Sequence, residues 1–207
     1  METTRFHFYC DDCMQVVAET AGSLADRNAV HAQCPGCGRM CDGRPLLNDG
    51  NFYPSLPIKQ QLTSLLAAND VSTALSERLS EINSRSDTST VLSDITDGSV
   101  HRTVRQKLNA QDLTLTINAD CSPLFKSSKY SVWPVQIMIN ELPEHLRHKN
   151  VLVAMLWYRQ THPDMTLLLS SFVEHMEDLS AEGITWNGGT HTVQSKVCKR
   201  TVLRGAL

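Results

Sequence analysis

No apolar run in this chain approaches the roughly 18 residues that a membrane-crossing helix needs. The opening stretch, Met1 to Phe8, lacks the apolar core of a secretory signal. A soluble, intracellular protein is therefore the expectation, with thiols kept reduced and paired cysteines read as metal ligands before disulfides. A surplus of positive charge is missing too. Nineteen Lys and Arg stand against 22 Asp and Glu, a formal net charge of −3, which argues against a general electrostatic binder of nucleic acid. Also absent are a phosphate-binding glycine loop, a G-x-S-x-G nucleophile turn and an H-E-x-x-H zinc helix. What remains is ordinary for a globular chain of 207 residues: 41% apolar and 20% charged.

Composition divides the chain into three. Residues 1–45 hold five of the seven cysteines, residues 46–105 are polar, and residues 106–207 hold all three tryptophans. In the middle region Ile58, Leu62, Leu65 and Leu66 recur at helical spacing, as do Val71, Leu75, Leu79 and Ile82. Asp70 is placed to cap the second of these helices. Ser84 to Ser93 reads as a loop. In the last region Leu113, Leu115 and Ile117 alternate with threonines, predicting a half-buried strand that ends near Asp120. Val135, Ile137 and Ile139 alternate likewise, and Val151 to Trp157 reads as a buried strand. Leu168, Leu169, Phe172, Val173, Met176 and Leu179 trace a helix, with Pro163 and Asp164 at its start and Gly183 at its end. A further strand is expected in Thr192 to Val202. Short links favour antiparallel pairing of the first three strands. Three strands, a helix and a strand open an RNase H-like fold, and many other α/β domains as well.

Cys10-Asp11-Asp12-Cys13 and Cys34-Pro35-Gly36-Cys37 are two C-x2-C pairs separated by 20 residues. This is zinc-ribbon spacing. Two residues between cysteines let a tight turn aim both thiolates at one ion, and a second turn completes a tetrahedron. Gly36 and Gly38 ease the bend around the ion, and Phe6, Phe8 and Tyr9 predict a strand leading into the first turn. Cys10, Cys13, Cys34 and Cys37 are thus the predicted ligands of a closed, structural Zn2+ site. Cys41 is either a substitute for Cys37 or free, and His31 reads as a surface residue.

Other chemistry is thinly represented. Asp120 closes a predicted strand, where a carboxylate is well placed for metal-assisted phosphate chemistry, but one carboxylate does not hold two ions. Asp94 and Asp97 fall in a loop-like stretch, and Asp97-Gly98 reads as a turn. Glu174 and Asp178 share an exposed helix face, and Glu141, Glu144 and Asp164 are scattered. Cys121 has no nearby histidine, whereas Cys198 stands among Lys196, Lys199 and Arg200, which favour its thiolate. Arg147 to Lys149 and Lys196 to Arg204 read as solvated positive faces able to meet phosphate.

Several segments in order carry a resemblance. They are Leu113 to Asp120, Pro123 to Ser128, Ser131-Val-Trp-Pro134, Asn140-Glu-Leu-Pro143, His145-Leu-Arg147, Lys149-Asn150, Leu156-Trp157, Pro163-Asp-Met165, Phe172-Val-Glu174 and Gly183-Ile-Thr-Trp186. Together with Tyr53-Pro-Ser-Leu56, Gln61-Leu62 and Asp94-Ile-Thr-Asp-Gly98 upstream, they resemble the transposase domain of CACTA (En/Spm-like) DNA transposons. The resemblance implies an RNase H-like core, a DDE/D acid set, Mg2+ or Mn2+, DNA as substrate and a nuclear address. Asp120 matches the first acid of that set, with Cys121 where the family has glycine. The family's second acid falls where this sequence reads Val197 to Arg204, which contains no acid. The sequence as given reaches Leu207 before a third.

The resulting expectation is an α/β (α+β) protein: a zinc-ribbon module over 1–45, a helical linker over 46–105, and a partial RNase H-like mixed sheet over 106–207. Its function would be transposase-derived and catalytically incomplete. The alternatives are a zinc-ribbon module that binds DNA (transposon ends), a full-length transposase or another protein, and a fragment without function.

Overall fold

The computed structural model describes residues 3–85, 92–123, 130–160 and 162–195. In chain order its elements are β1 (Arg5–Cys10), β2 (Gln15–Thr20), α1 (Leu24–Asn28), β3 (His31–Gln33), β4 (Met40–Asp42), α2 (Gly43–Asp49), β5 (Phe52–Ser55), α3 (Ile58–Leu66) and α4 (Asn69–Ser84). A 3-10 turn, Ile95–Asp97, precedes α5 (Ser99–Arg105), β6 (Leu113–Ala119), β7 (Ser122–Pro123), β8 (Ser131–Ile139), α6 (Glu144–Arg147), β9 (Leu152–Arg159) and α7 (Met165–Glu182). The short strands β10 (Ile184–Trp186), β11 (Gly189–His191) and β12 (Val193–Ser195) follow. The chain is a mixed α/β protein, as expected.

The main sheet has the order β12-β6-β8-β9-β5-β1-β2, with β7 added on β8. It is mostly antiparallel. Thr116 bonds Asn140 and Asn118 bonds Gln136, so numbering rises along β6 as it falls along β8. The exception is β12, which runs parallel to β6 with Val193 opposite Leu113. The hairpin β1–β2 enters this sheet through β5, whose Ser55 lies opposite Met155 of β9. No helix among the described residues is long and apolar enough to cross a membrane.

Contacts divide the chain into two compact units. The first comprises Met1–Ile58, Asn118–Gln136 and Val153–His175. Its centre is aromatic. Tyr9 and Trp157 stack with centroids 5.0 Å apart, Tyr53 lies 5.8 Å from Trp157, and the Tyr53 hydroxyl meets Ser171 Oγ at 2.8 Å. That bond answers the usual requirement that a buried phenol find a partner. His7 is also buried here, with Nε2 2.8 Å from Ser55 Oγ and Nδ1 2.9 Å from Glu19 Oε1. Burial holds the His7 imidazole below the ordinary histidine value, against the pull of Glu19.

The second unit comprises Lys59–Ile117, Ile137–Leu152 and Met176–Leu207. The helical stripes read from the sequence are core: Leu62, Leu66, Val71, Leu75 and Leu79 are buried. Asp70 does not cap α4. The helix begins at Asn69, with Ala68 as its N-cap and no side-chain cap, and Asp70 sits in the first turn, where its charge complements the helix dipole. Asp164 does start α7, accepting from the Leu167 amide at 2.8 Å. Gly183 ends it at φ 68°, where a Cβ would lie 2.8 Å from the His191 carbonyl oxygen. Of the basic stretch Arg147 to Lys149, Lys149 is exposed but Arg147 does not join a positive face. Arg147 is buried and holds Asp94 through two nitrogens at 2.8 and 2.9 Å, while its Nη2 also donates to the carbonyls of Asn140 and Leu142. The other basic stretch, from Lys196, lies outside the described residues.

Candidate metal centre

Each C-x2-C pair occupies the tip of a hairpin. Cys10 ends β1, and the chain turns through Asp11, Asp12 and Cys13 into β2. Cys34 follows β3, and the chain turns through Pro35, Gly36 and Cys37 towards β4. In the first turn the Met14 amide donates to Cys10 O at 2.8 Å. In the second the Gly38 amide donates to Cys34 O at 2.9 Å, and the Cys34 amide to Arg39 O at 2.8 Å. Gly36 is needed for a separate reason. A Cβ there would lie 2.7 Å from Gln15 Oε1 and 3.0 Å from Cys13 Sγ, pressing on a predicted ligand.

The two tips bring Cys10, Cys13, Cys34 and Cys37 together, all four sulfurs within 4.8 Å of one another. Cys10 and Cys37 are 3.7 Å apart and Cys13 and Cys34 3.2 Å. A tetrahedron with metal–sulfur bonds of about 2.3 Å has edges of about 3.8 Å, so this group could hold a metal ion such as zinc with small adjustments. These separations exceed the roughly 2.05 Å of a disulfide, and the thiols are free. Cys10 and Cys34 are buried with Phe8, Cys41 and Leu46, Cys13 is half-buried and Cys37 exposed. Four thiolates leave no open position for substrate, so the arrangement suits a structural ion.

Local hydrogen bonding differentiates the sulfurs. The Cys37 amide, with lesser help from Cys13 and the Gly36 amide, pulls the Cys34 thiol down to about 6. Its hydrogen bond to Cys34 pushes the Cys13 thiol up to about 12. Such amide-to-sulfur bonds favour the thiolate a metal requires. Arg39, two residues after Cys37, spans the tips. Its guanidinium pairs with Asp12 at 2.6 Å and with Asp11, and that partnership with Asp11 holds the carboxyl below its usual range.

Cys41 stays outside the four-sulfur group. It is buried among Phe8, Cys10, Cys34 and Leu46, and burial raises its thiol. His31 pairs with Asp42 at 2.5 Å and is exposed, in keeping with a surface residue. Asp120 directly follows β6, is exposed, and accepts the Cys121 amide at 2.8 Å. No metal-ligating group of three or more side chains includes it among the described residues. Cys198 lies outside the described residues. Asp94 and Asp97 are structural: they form a reciprocal cap on the 3-10 turn, and Asp97 accepts from Ser93 Oγ at 2.8 Å. Glu174 and Asp178 are exposed on α7.

One residue escapes a reading by spacing. Glu141 is fully buried, accepting the Thr114 amide at 2.9 Å and the Thr114 hydroxyl at 2.6 Å, with His101 Nε2 3.0 Å away. Its only trace in the sequence is its place two residues beyond the end of a strand.

Comparison of the chain with protein-family models, curated proteins and solved structures finds no match.

Proposed function

We propose that this chain is a transposase-derived protein of the cut-and-paste class, with a structural zinc ribbon near its N-terminus and no strand-cleaving site of its own. The observation that carries the reading is the neighbourhood of β6. The order β9-β8-β6-β12 sets β6, β8 and β9 side by side and returns β12 beside β6, parallel to it. An RNase H-like core has this arrangement, and Asp120 follows β6 where that fold carries its first acid. The two hairpin tips with converging cysteines support the zinc ribbon in the same way.

For the stretch of chain given, the chemistry argues against cleavage. Two-metal phosphoryl transfer requires several carboxylates around the ions. Asp120 belongs to no such group among the described residues, and Gly183 to Leu207 contains neither Asp nor Glu. Mg2+ or Mn2+ would need ligands from elsewhere. In this reading the chain acts in the nucleus through binding, to transposon-end DNA or to an intact transposase.

The test is incubation of purified, zinc-loaded protein with terminal-repeat DNA in Mg2+ or Mn2+. No nicking is expected. Nicking that disappears in Asp120→Ala would overturn the claim of incompleteness. Binding to neither the DNA nor an intact transposase would overturn the transposase reading itself.

A further inference from the structure

Two sulfur contacts cross between the hairpin tips. Cys10 Sγ lies 3.7 Å from Cys37 Sγ, and Cys13 Sγ lies 3.2 Å from Cys34 Sγ. Each contact joins a cysteine of the first tip to one of the second. We propose that the tips form a redox clasp: a peroxide converts the four cysteines to the disulfides Cys10–Cys37 and Cys13–Cys34, which expels a bound zinc ion yet keeps the tips tied. The release of zinc rests on the zinc-ribbon reading, whereas the sulfur pairing rests on the geometry alone.

Exposure sets the order of events. Cys37 is exposed, Cys13 is half-buried, and Cys10 and Cys34 are buried. Oxidation of a thiolate follows its access to solvent. The Cys37 sulfur attacks one peroxide oxygen, and the O–O bond breaks to leave a sulfenic acid and hydroxide. Cys10 then attacks the Cys37 sulfur. The S–S bond forms as the S–O bond breaks, and the hydroxyl departs with a proton as water. A second peroxide joins Cys13 to Cys34 in the same way. Counted from thiols, four cysteines and two peroxides give two disulfides and four waters. Counted from thiolates, four protons come from solvent as well. No thiolate then remains for the ion.

Contacts that need no ion hold the tips in place for this chemistry. Arg39, just past the second tip, pairs with Asp12 of the first at 2.6 Å and with Asp11. Gly36 backs so closely on the first tip that a Cβ there would lie 3.0 Å from Cys13 Sγ. Cys10 and Cys34 share one apolar cluster with Phe8 and Leu46. The sulfurs must close by roughly 1–2 Å to reach a disulfide length of about 2.05 Å, a step within the reach of side-chain rotation.

Bonds within each turn are the competing outcome. They would be forced into four-residue turns already closed by the Met14 amide on Cys10 O and the Gly38 amide on Cys34 O. The cross-tip bonds instead span 27 and 21 positions, and longer loops restrict the unfolded chain more. Cys41 stays out of the exchange, buried with its Sγ 3.7 Å from the Arg39 carbonyl oxygen.

The test treats the full, zinc-loaded chain with excess hydrogen peroxide while a chelating dye reports free zinc. Remaining thiols are blocked, and the denatured chain is cut with trypsin without reduction. Cleavage after Arg27 separates Cys10 and Cys13 from Cys34 and Cys37, and cleavage after Arg39 sets Cys41 apart. Zinc release is expected, with the two tip peptides linked, fragmentation assigning Cys10–Cys37 and Cys13–Cys34, and Cys41 blocked as a thiol. The oxidised, zinc-free chain should melt at a higher temperature than the reduced, zinc-free chain. The proposal is overturned if the tip peptides separate, if Cys41 or any other pairing appears, if the thiols survive the peroxide, or if oxidation does not raise the melting temperature. A chain that holds no zinc yet forms both cross-tip bonds overturns the zinc reading and upholds the pairing. A zinc-loaded chain that forms bonds within its turns does the reverse.

Discussion

Met14 and Gly38 hold equivalent places in the two cysteine turns. Each follows the second cysteine of its pair, donates its amide to the carbonyl of the first, and adopts a positive φ, 52° and 73° respectively. Glycine meets this demand freely in one turn. In the other, a methionine carries it at a cost, because its Cβ crowds the backbone in the left-handed region.

Met14→Gly is therefore expected to raise stability, by about 0.5–1 kcal/mol after the greater entropy of unfolded glycine is subtracted. Gly38→Ala should lower it by a similar amount, through φ rather than through crowding, since the nearest atom to its Cβ would be Gln33 Nε2 at 3.6 Å. Thermal unfolding of the zinc-loaded variants measures both. An unchanged or lower melting temperature for Met14→Gly contradicts the equivalence.

Metal content gives a second expectation. Native mass spectrometry should find one zinc per chain, lost in Cys34→Ser and retained in Cys41→Ser. Gly36→Ala should bind zinc more weakly by displacing Cys13 Sγ. Retention of stoichiometric zinc by Cys34→Ser would remove Cys34 from the ligand set.

The ion pair of Asp94 with Arg147 predicts a dependence on pH. Burial opposes ionisation of Asp94, but Arg147, the Ile95 amide and Arg78 outweigh it and bring the carboxyl to about 2. The Ser93 amide and hydroxyl, followed by the Asp94 amide and Arg85, bring Asp97 to about 2 as well. A folded-state value below the unfolded one means stabilisation that is complete above the unfolded carboxyl value, near 3.9. It is lost as pH falls through that value towards 2. Each group would contribute on the order of 2 kcal/mol at neutral pH. Urea unfolding at pH 7 should show Asp94→Ala destabilised by about 3–5 kcal/mol, because Arg147 is left buried without its carboxylate. The gap to the wild type should narrow below pH 3. A gap that stays constant would separate Asp94 from the acid transition.

Glu141→Ala leaves the Thr114 amide and hydroxyl buried without an acceptor, at about 1–3 kcal/mol for each orphaned group. A loss of about 3–5 kcal/mol is expected in chemical denaturation at neutral pH. A loss below about 1 kcal/mol would indicate that water replaces the carboxylate.

The sequence was most readable where covalent spacing sets geometry. Two residues between cysteines imply a turn, and both turns are present. Alternation along Leu113 to Ile117, and the Asp164 and Gly183 signals around α7, were similarly local. β5 was not foreseen as a strand, because it is four residues long and contains Pro54, which cannot donate to a ladder. Glu141 and Arg147 were misleading for a different reason. Charge reads as surface until its partners are known, and these partners lie 27 and 53 positions away. Met14 was invisible because only glycine advertises a positive φ.

The Arg39 bridge between the cysteine tips has an electrostatic consequence. Four thiolates around a divalent ion keep an overall negative charge, and Asp11 and Asp12 add to it more than the one guanidinium removes. With such an ion bound, the hairpin tips would project a field that repels a phosphate backbone and draws cations. A macromolecule docking on that end would do so by presenting lysine or arginine, which makes the cysteine end better matched to a basic protein surface than to a nucleic acid.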